Sequence, residues 1–556
     1  MKLTKDFLGA RLVKEGVITR EQLEEALQKQ RENKGFLGQV LVDLGYCTED
    51  DIAKVMAKRF GVPFISLENH SVDPSAVATL SVEALKKYKA LPVGFSGDKL
   101  MVAMQQPNNI LAIDDMRILT GHDIKPVIAP DSELKAAIEK YSRPNMEFEQ
   151  PAQEEQPDED IDIEADESAA KPAVQLANML IAQAVGVKAS DIHIEAYENY
   201  LRVRFRIDGV LHDIMRLSRQ IHASLISRMK IMASMNIAER RVPQDGRMSI
   251  KIEGRTIDAR VASLPASFGE RLTLRLLDRS AKMITLEELG VEPGVLANYK
   301  KAIGFPHGCI LVTGPTGSGK STTLYASLTT VDRVVKNVIT VEDPVEYRMD
   351  GINQVQINPK AGLTFASGLR SILRSDPDII MVGEIRDRET ARLAVESALT
   401  GHLVFSTLHT NDAAGAISRL TEMGIEPFLT VSSLVCVLAQ RLARVLCPNC
   451  KEAYAATRDE LRDIPDFPWS DDESRVQLYR PVGCMRCSNT GYRGRVGIYE
   501  LLFVSEHIQQ LALERRSARE IKQAAVDGGM ITLRQDGIIK VKKGITSLEE
   551  LVRVVL

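Results

Sequence analysis

The sequence predicts a multidomain α/β protein organised around a parallel sheet. Three observations predict it. From about Ile284 onward, short apolar runs alternate with helical patterns, as in a parallel sheet with crossover helices. One glycine-rich loop, GPTGSGKST at Gly314 to Thr322, stands between the apolar run CILVT and the helix-forming TLYASL. Far upstream, a 29-residue internal repeat pairs FLGARLVKEGVITREQLEEALQKQ (Phe7 to Gln30) with FLGQVLVDLGYCTEDDIAKVMAKR (Phe36 to Arg59), which marks a separate helical domain.

Size and composition bound the rest. The chain has 556 residues, 44% hydrophobic and 26% charged, enough for about three or four globular domains. A net charge of −4 gives no global basic field for nucleic acid. No run of about 18 apolar residues occurs, and MKLTKDFLGARL lacks an apolar signal-peptide core, so a cytoplasmic protein is expected. Seven cysteines are too few for a disulfide scaffold at this length.

In the repeat, Phe7/Phe36, Leu8/Leu37, Gly9/Gly38, Leu12/Leu41 and Gly16/Gly45 coincide. Each copy reads as two helices, with the turn at Gly16 or Gly45 and Thr19 or Thr48 capping the second helix. A mixed α/β segment follows to about Tyr141. Next comes an acidic stretch with eleven acids between Glu147 and Glu167 and no Lys or Arg from Pro144 to Ala170. It self-repels and cannot bury a core, which predicts a linker. From Pro172 the chain is globular again. Leu201 to Ile207 alternates with period two, a strand that puts Arg202, Arg204 and Arg206 on one face. Three like charges there form either a solvated face or one wall of an anion site.

The glycine loop is the strongest chemical signal. G-x-x-x-x-G-K-[ST] between strand and helix lets Gly314, Pro315, Thr316, Gly317, Ser318 and Gly319 wrap a phosphate with backbone N–H groups. The N-terminus of the next helix adds its dipole. Lys320 would reach the β- and γ-phosphates, and Ser321, followed by Thr322, would offer a hydroxyl to Mg²⁺. A nucleotide site also needs a carboxylate at the end of a second strand. IIMVGEIRD supplies Glu384 as general base or water-orienting group, with Asp378 just before its apolar run. ITVEDPVEY adds Glu342, Asp343 and Glu346. GHLVFSTLHTNDA brackets a further strand with His402 and His409, candidates for sensing a γ-phosphate.

Two C-x-x-C pairs, Cys447/Cys450 and Cys484/Cys487, are separated by 33 residues. Four thiolates in this arrangement close a tetrahedral shell for structural Zn²⁺, with two redox pairs as the alternative. Cys47, Cys309 and Cys436 stand singly in apolar or helical stretches and read as packing.

Taken in order, GPTGSGKST, ITVEDPVEY, LRSDPDIIMVGEIRD and GHLVFSTLHTNDA resemble the Walker A, Asp box, Walker B and His box of the ATPases of type II secretion and type IV pilus assembly. The resemblance implies an MshEN-like helical-repeat domain (1–142), an acidic linker (143–171), a PAS-like α+β domain (172–282), a RecA-like P-loop ATPase core (283–441), a tetracysteine zinc module (442–500) and a helical tail (501–556). It implies binding of ATP and Mg²⁺ by Lys320 and Ser321, catalysis by Glu384 with Glu342 and His409, and a phosphate contact from Arg204 and Arg206. Its tetracysteine module belongs to assembly and secretion ATPases rather than retraction ATPases. The implied partners are five further copies in a homohexamer, an inner-membrane platform protein and a membrane-linked adaptor, with the protein peripheral on the inner face of the plasma membrane. The repeat resembles the MshEN motif that binds cyclic di-GMP, but Phe7 and Phe36 stand where that motif carries arginine, so a docking domain is the alternative. Two rivals differ in class. A DNA motor would want an aromatic-studded basic channel, against 5% aromatics and one Trp here, so no direct nucleic-acid partner is expected. A non-motor sensor would not need an intact Lys320, Ser321 and Glu384.

Overall fold

The computed structural model describes residues 8–142 except 34, 35, 68–71, 73, 78, 81, 97, 98 and 121, then 146–149, and 167–555 except 253, 279–282, 463, 465, 466 and 470–474. The chain divides into two compact units, Met1–Ser280 and Ala281–Leu556.

The first unit opens with the repeat. Its copies form the helix pairs Leu8–Lys14 with Arg20–Asn33, and Leu37–Asp43 with Glu49–Phe60. Gly16 and Gly45 make the turns at φ 75° and 70°, where a side chain would be strained. Thr48 caps the fourth helix reciprocally with Asp51, and Thr19 accepts from the Gln22 N–H. Leu12 and Leu41, equivalent in the two copies, are both fully buried. Phe36 is 87% exposed, while Phe7 lies outside the described residues. A three-stranded sheet follows: Ala90–Ser96, Lys99–Met104 and Asp123–Val127.

Most of the expected acidic linker also lies outside the described residues. At its ends, Met146–Glu149 is a strand paired with Gln244–Ile252, and a helix runs over Glu167–Gly186. That strand joins six later ones in an antiparallel sheet of seven, in the order Met146–Glu149, Gln244–Ile252, Arg255–Leu264, Arg271–Asp278, Asp191–Ala196, Tyr200–Ile207, Val210–Ser218. Helices Glu167–Gly186 and His222–Met232 cover one face, burying Leu180, Leu225 and Met229 against Ile192, Val203 and Leu272. Period-two alternation leaves the charged side chains of the same strands on the other face.

The second unit holds a seven-stranded sheet ordered Asn353–Gln356, Val338–Glu342, Ile379–Val382, Leu403–Leu408, Gly308–Thr313, Leu434–Leu446, Tyr492–Phe503. The first six are parallel and the last antiparallel. Their apolar runs are buried on both faces by crossover helices, as a parallel sheet requires. The boundaries expected at 441/442 and 500/501 are corrected here: both fall inside strands of this sheet. The apolar run LVCVLAQRLARVL continues as one strand to Leu446 because its side chains stay in the core. The cysteine-bearing insert therefore joins the last two strands of the sheet and carries a two-stranded antiparallel sheet of its own, Glu452–Thr457 with Arg475–Arg480, and four helices from Glu506 to Val555 complete the unit.

Candidate functional site

In a parallel sheet all carboxyl ends lie along one edge, where α/β proteins bind ligands. Register places the motifs there together. Thr313 lies opposite Leu408 and Ala439, Val382 opposite Ser406, and Val341 opposite Val382. The glycine loop, Glu342, Glu384 and His409 thus meet at one level of the sheet edge, beside Arg441 on the longer strand Leu434–Leu446.

The loop from Gly314 to Gly319 runs into the helix Lys320–Thr329. Gly314 has φ 149°, and a Cβ there would lie 2.4 Å from the Gln440 carbonyl oxygen. The loop therefore needs glycine to lie against the neighbouring strand. Pro315, Thr316, Gly317 and Ser321 are exposed, Thr322 is half-buried and Ser318 is buried. The Lys320 ammonium donates to the carbonyls of Gly314 (2.8 Å) and Pro315 (3.0 Å). Burial pushes its pKa down; Glu384 opposes that shift and the charge of Arg441 adds to it. A phosphate would meet a cation already stripped of much of its water.

Glu384 stands two residues beyond the buried strand Ile379–Val382. Its carboxylate pairs with Arg386 and lies 3.5 Å from His409 Nε2. Arg386 also faces Asp343 at 3.7 Å. Glu342 sits in different surroundings. It is 4% exposed and accepts hydrogen bonds from Tyr325 and from Thr340 (2.5 Å) and Gln354 (3.1 Å), so both its oxygens are engaged.

One expectation is corrected, that His402 joins His409 at the γ-phosphate. Asp378 lies at the amino end of its strand, away from the loop, accepting from the Asn337 N–H at 2.7 Å. His402 is likewise at the amino end of Leu403–Leu408, with Nδ1 2.9 Å from the Ser397 carbonyl oxygen. A strand has two flanks, and only its carboxyl flank reaches the nucleotide edge. The arginines of the row are paired: Arg202 with Asp213, Arg204 with Glu195 at 2.7 Å and Arg206 with Asp191 at 3.6 Å. These three lie on the polar face of the sheet in the first unit.

Sequence reasoning missed Arg386 and Arg441. Arg386 was legible, two residues from Glu384 in the same motif. Arg441 carried no such signal. It comes from the strand beside the glycine loop and donates to the Asn411 carbonyl at 2.7 Å.

The four cysteines converge at the insert. Their sulfurs all lie within 4.8 Å of one another. Cys447–Cys484, Cys450–Cys487 and Cys484–Cys487 are separated by 3.8, 3.8 and 3.7 Å. A tetrahedron with metal–sulfur bonds of about 2.3 Å has edges of about 3.8 Å, so the set fits Zn²⁺. The N–H groups of Gly483, Cys484 and Gly491 point at the sulfurs of Cys450 and Cys487, an arrangement that favours thiolates.

A strand–loop–helix phosphate cradle beside a carboxylate-bearing strand defines a P-loop ATPase core. Comparison with known proteins places it more closely. The model of the type II/IV secretion system protein family matches residues 166–553, and that of the MshEN domain matches 60–147, the segment after the helical repeat. The type IV pilus assembly ATPase PilB of Myxococcus xanthus is 45% identical over 98% of this chain and 98% of that protein. The type II secretion system ATPase E of Vibrio cholerae is 49% identical over 76% of this chain and 82% of that protein. The solved structure of the Legionella pneumophila ATPase DotB aligns with 67% of this chain and 93% of that one, at 23% identity and a TM-score of 0.49. The chain belongs to the type II/IV secretion system protein family.

Proposed function

We propose that this chain is an Mg²⁺-dependent ATPase that works as a homohexamer to drive type IV pilus assembly. The observation that carries the proposal is the end-to-end similarity to a pilus assembly ATPase, 98% of both chains, together with Lys320, Glu384 and His409 at one sheet edge. In this reading the loop from Gly314 to Thr322 binds ATP, and Lys320 leaves its loop carbonyls for the β- and γ-phosphates. Ser321 holds Mg²⁺, which neutralises phosphate charge when bound. Glu384 orients the attacking water and His409 reports the γ-phosphate. Arg204 and Arg206 are the arginines assigned to phosphate, for which they would exchange their acidic partners Glu195 and Asp191. Glu342 supports the strand end and is assigned a positioning role rather than contact with the metal. Cys447, Cys450, Cys484 and Cys487 hold a structural Zn²⁺.

The partners follow from the same reading: an inner-membrane platform protein and a membrane-linked adaptor, with the chain peripheral on the cytoplasmic face. Among the described residues no helix is long and apolar enough to cross a membrane. Cyclic di-GMP is the ligand to test at the N-terminal domain. Calorimetric titration of the full chain with that dinucleotide decides between a ligand site and a docking domain alone, since the exposed Phe36 offers a ring but no charge. The second reading, a type II secretion ATPase, is favoured by 49% identity to such an ATPase over 76% of this chain. Deleting the gene and complementing with wild type or Lys320→Ala separates the two. Loss of surface pili rescued only by wild type supports pilus assembly, and loss of secretion with normal pili supports the second reading.

A further inference from the structure

The segment from His409 to Ala413 leads from the strand Leu403–Leu408 into the helix Ala414–Glu422, and three other elements grip it. Arg441 holds the Asn411 carbonyl at 2.7 Å. Glu500, fully buried on the strand Tyr492–Phe503, accepts from the Ala413 N–H at 2.9 Å. Lys522, on the helix Ala518–Asp527, reaches Asp412 Oδ2 at 3.1 Å and Glu500 Oε2 at 3.6 Å. Asp412 uses its other oxygen to cap the next helix through the Gly415 N–H at 2.9 Å. The second oxygen of Glu500 accepts from the Leu533 N–H at 3.3 Å, where the helix Leu533–Lys542 begins.

One ammonium is therefore shared by two carboxylates. Asp412 belongs to the segment that carries His409, and Glu500 joins that segment at Ala413 to the start of the helix Leu533–Lys542. Asp412 is three residues from His409, a span of at most about 10 Å of chain, and His409 Nε2 is 3.5 Å from Glu384. The tail helix that carries Lys522 thus places its ammonium on the segment that leads from His409. We propose that Lys522 is a positioning residue of the hydrolytic site, fixing the His409–Asp412 segment from the C-terminal helices and transmitting nucleotide state to those helices.

The inference rests on the assignment of Glu384 and His409 to the γ-phosphate, and its test keeps the two apart. Full-length Lys522→Met, Lys522→Arg and Glu384→Gln proteins are assayed for ATP binding, KM and kcat. Lys522→Met is expected to keep KM within about twofold while kcat falls about tenfold or more, since small misplacements of catalytic groups cost rate rather than binding. Lys522→Arg, which keeps the charge, is expected to recover kcat to within about threefold of wild type. In parallel, hydrogen exchange in residues 518–527 is compared with and without a non-hydrolysable ATP analogue. Wild type is expected to change protection there, and Lys522→Met to show no change at equal nucleotide occupancy. A folded Lys522→Met with wild-type kcat overturns the inference, as does a wild-type helix whose exchange ignores the nucleotide. If Lys522→Met does not fold, the wild-type exchange experiment decides alone. Retained turnover in Glu384→Gln would instead overturn the assignment of the site.

Discussion

Glu342 and Glu384 look alike in the sequence, each an acid closing an apolar strand, yet their surroundings separate them. The Glu342 carboxylate is enclosed and accepts from Tyr325, Thr340 and Gln354. Burial, reinforced by the charge of Glu342, pushes the Tyr325 hydroxyl pKa up, so the phenol stays a donor. Glu342→Gln would turn an amide NH₂ toward donors and is expected to destabilise the unit by about 1–3 kcal/mol, read from thermal unfolding. Glu384, open to Arg386 and His409, is expected to behave oppositely. Glu384→Gln should unfold within about 0.5 kcal/mol of wild type, as partly exposed substitutions do, while single-turnover ATP cleavage falls by two or more orders of magnitude. A stable but inactive Glu342→Gln would instead place Glu342 among the catalytic groups. The sequence located both acids because a strand followed by a carboxylate is a local pattern. It could not rank them, because Tyr325 and Gln354 are distant in sequence and meet Glu342 only through the sheet. His402 failed for the related reason that a flanking residue does not announce which end of a strand reaches the site.

At the scale of elements, the glycine loop was fully legible, since its geometry is dictated by backbone freedom at fixed spacing. The structure adds which glycines are irreplaceable. Gly314→Ala would drive a methyl into the Gln440 carbonyl and should abolish nucleotide binding. Gly317, at φ 78°, has open space around its Cβ, so Gly317→Ala carries only the left-handed backbone penalty of about 1–2 kcal/mol. Titration with a fluorescent ATP derivative distinguishes the two. The tail helix Leu548–Val555 was legible only as a helix, and its docking was not. Glu550, buried, accepts from the Arg444 N–H at 2.9 Å and pairs with the guanidinium groups of Arg444 (2.8 Å) and Arg553 (2.6 Å). Burial raises its pKa, but Arg553 and Arg444 outweigh that and hold it below the ordinary 4.5. Because the folded value is the lower one, this contribution is present above the unfolded pKa and is lost as pH falls through the folded value. Glu550→Ala is expected to cost about 3 kcal/mol at neutral pH. The deficit should shrink as pH falls below 4.5, which melting curves of wild type and variant across that range would check.

For the whole molecule, the cysteine-bearing insert and the C-terminal helices form one mechanical piece, although the sequence presents them as successive segments. Leu446, the residue before Cys447, donates its N–H to the Ile545 carbonyl at 2.8 Å. Lys451, the residue after Cys450, donates to the Gly544 carbonyl at 2.8 Å. Tyr492 meets Ser547 at 2.7 Å, and the Arg444 guanidinium stacks over the Tyr492 ring at 3.9 Å. A metal that closes the cysteine cluster would therefore brace the turn at Gly544 to Ser547 and the helices on either side of it. The glycine loop, reached through the interior strand Gly308–Thr313, rests instead on the doubly covered sheet. Local stability follows local contacts, so removing the metal should act unevenly. A chelator, or Cys447→Ser, is expected to raise hydrogen exchange in residues 533–555 well before residues 308–329. A loss of about 3 kcal/mol there would lower the melting temperature by about 5 °C in a unit of this size. ATP binding measured under the same conditions should persist until that tail has loosened. Simultaneous loss of protection in the loop and the tail would mean that the insert braces the entire sheet, and no change in either would show that the four sulfurs hold their positions without a metal.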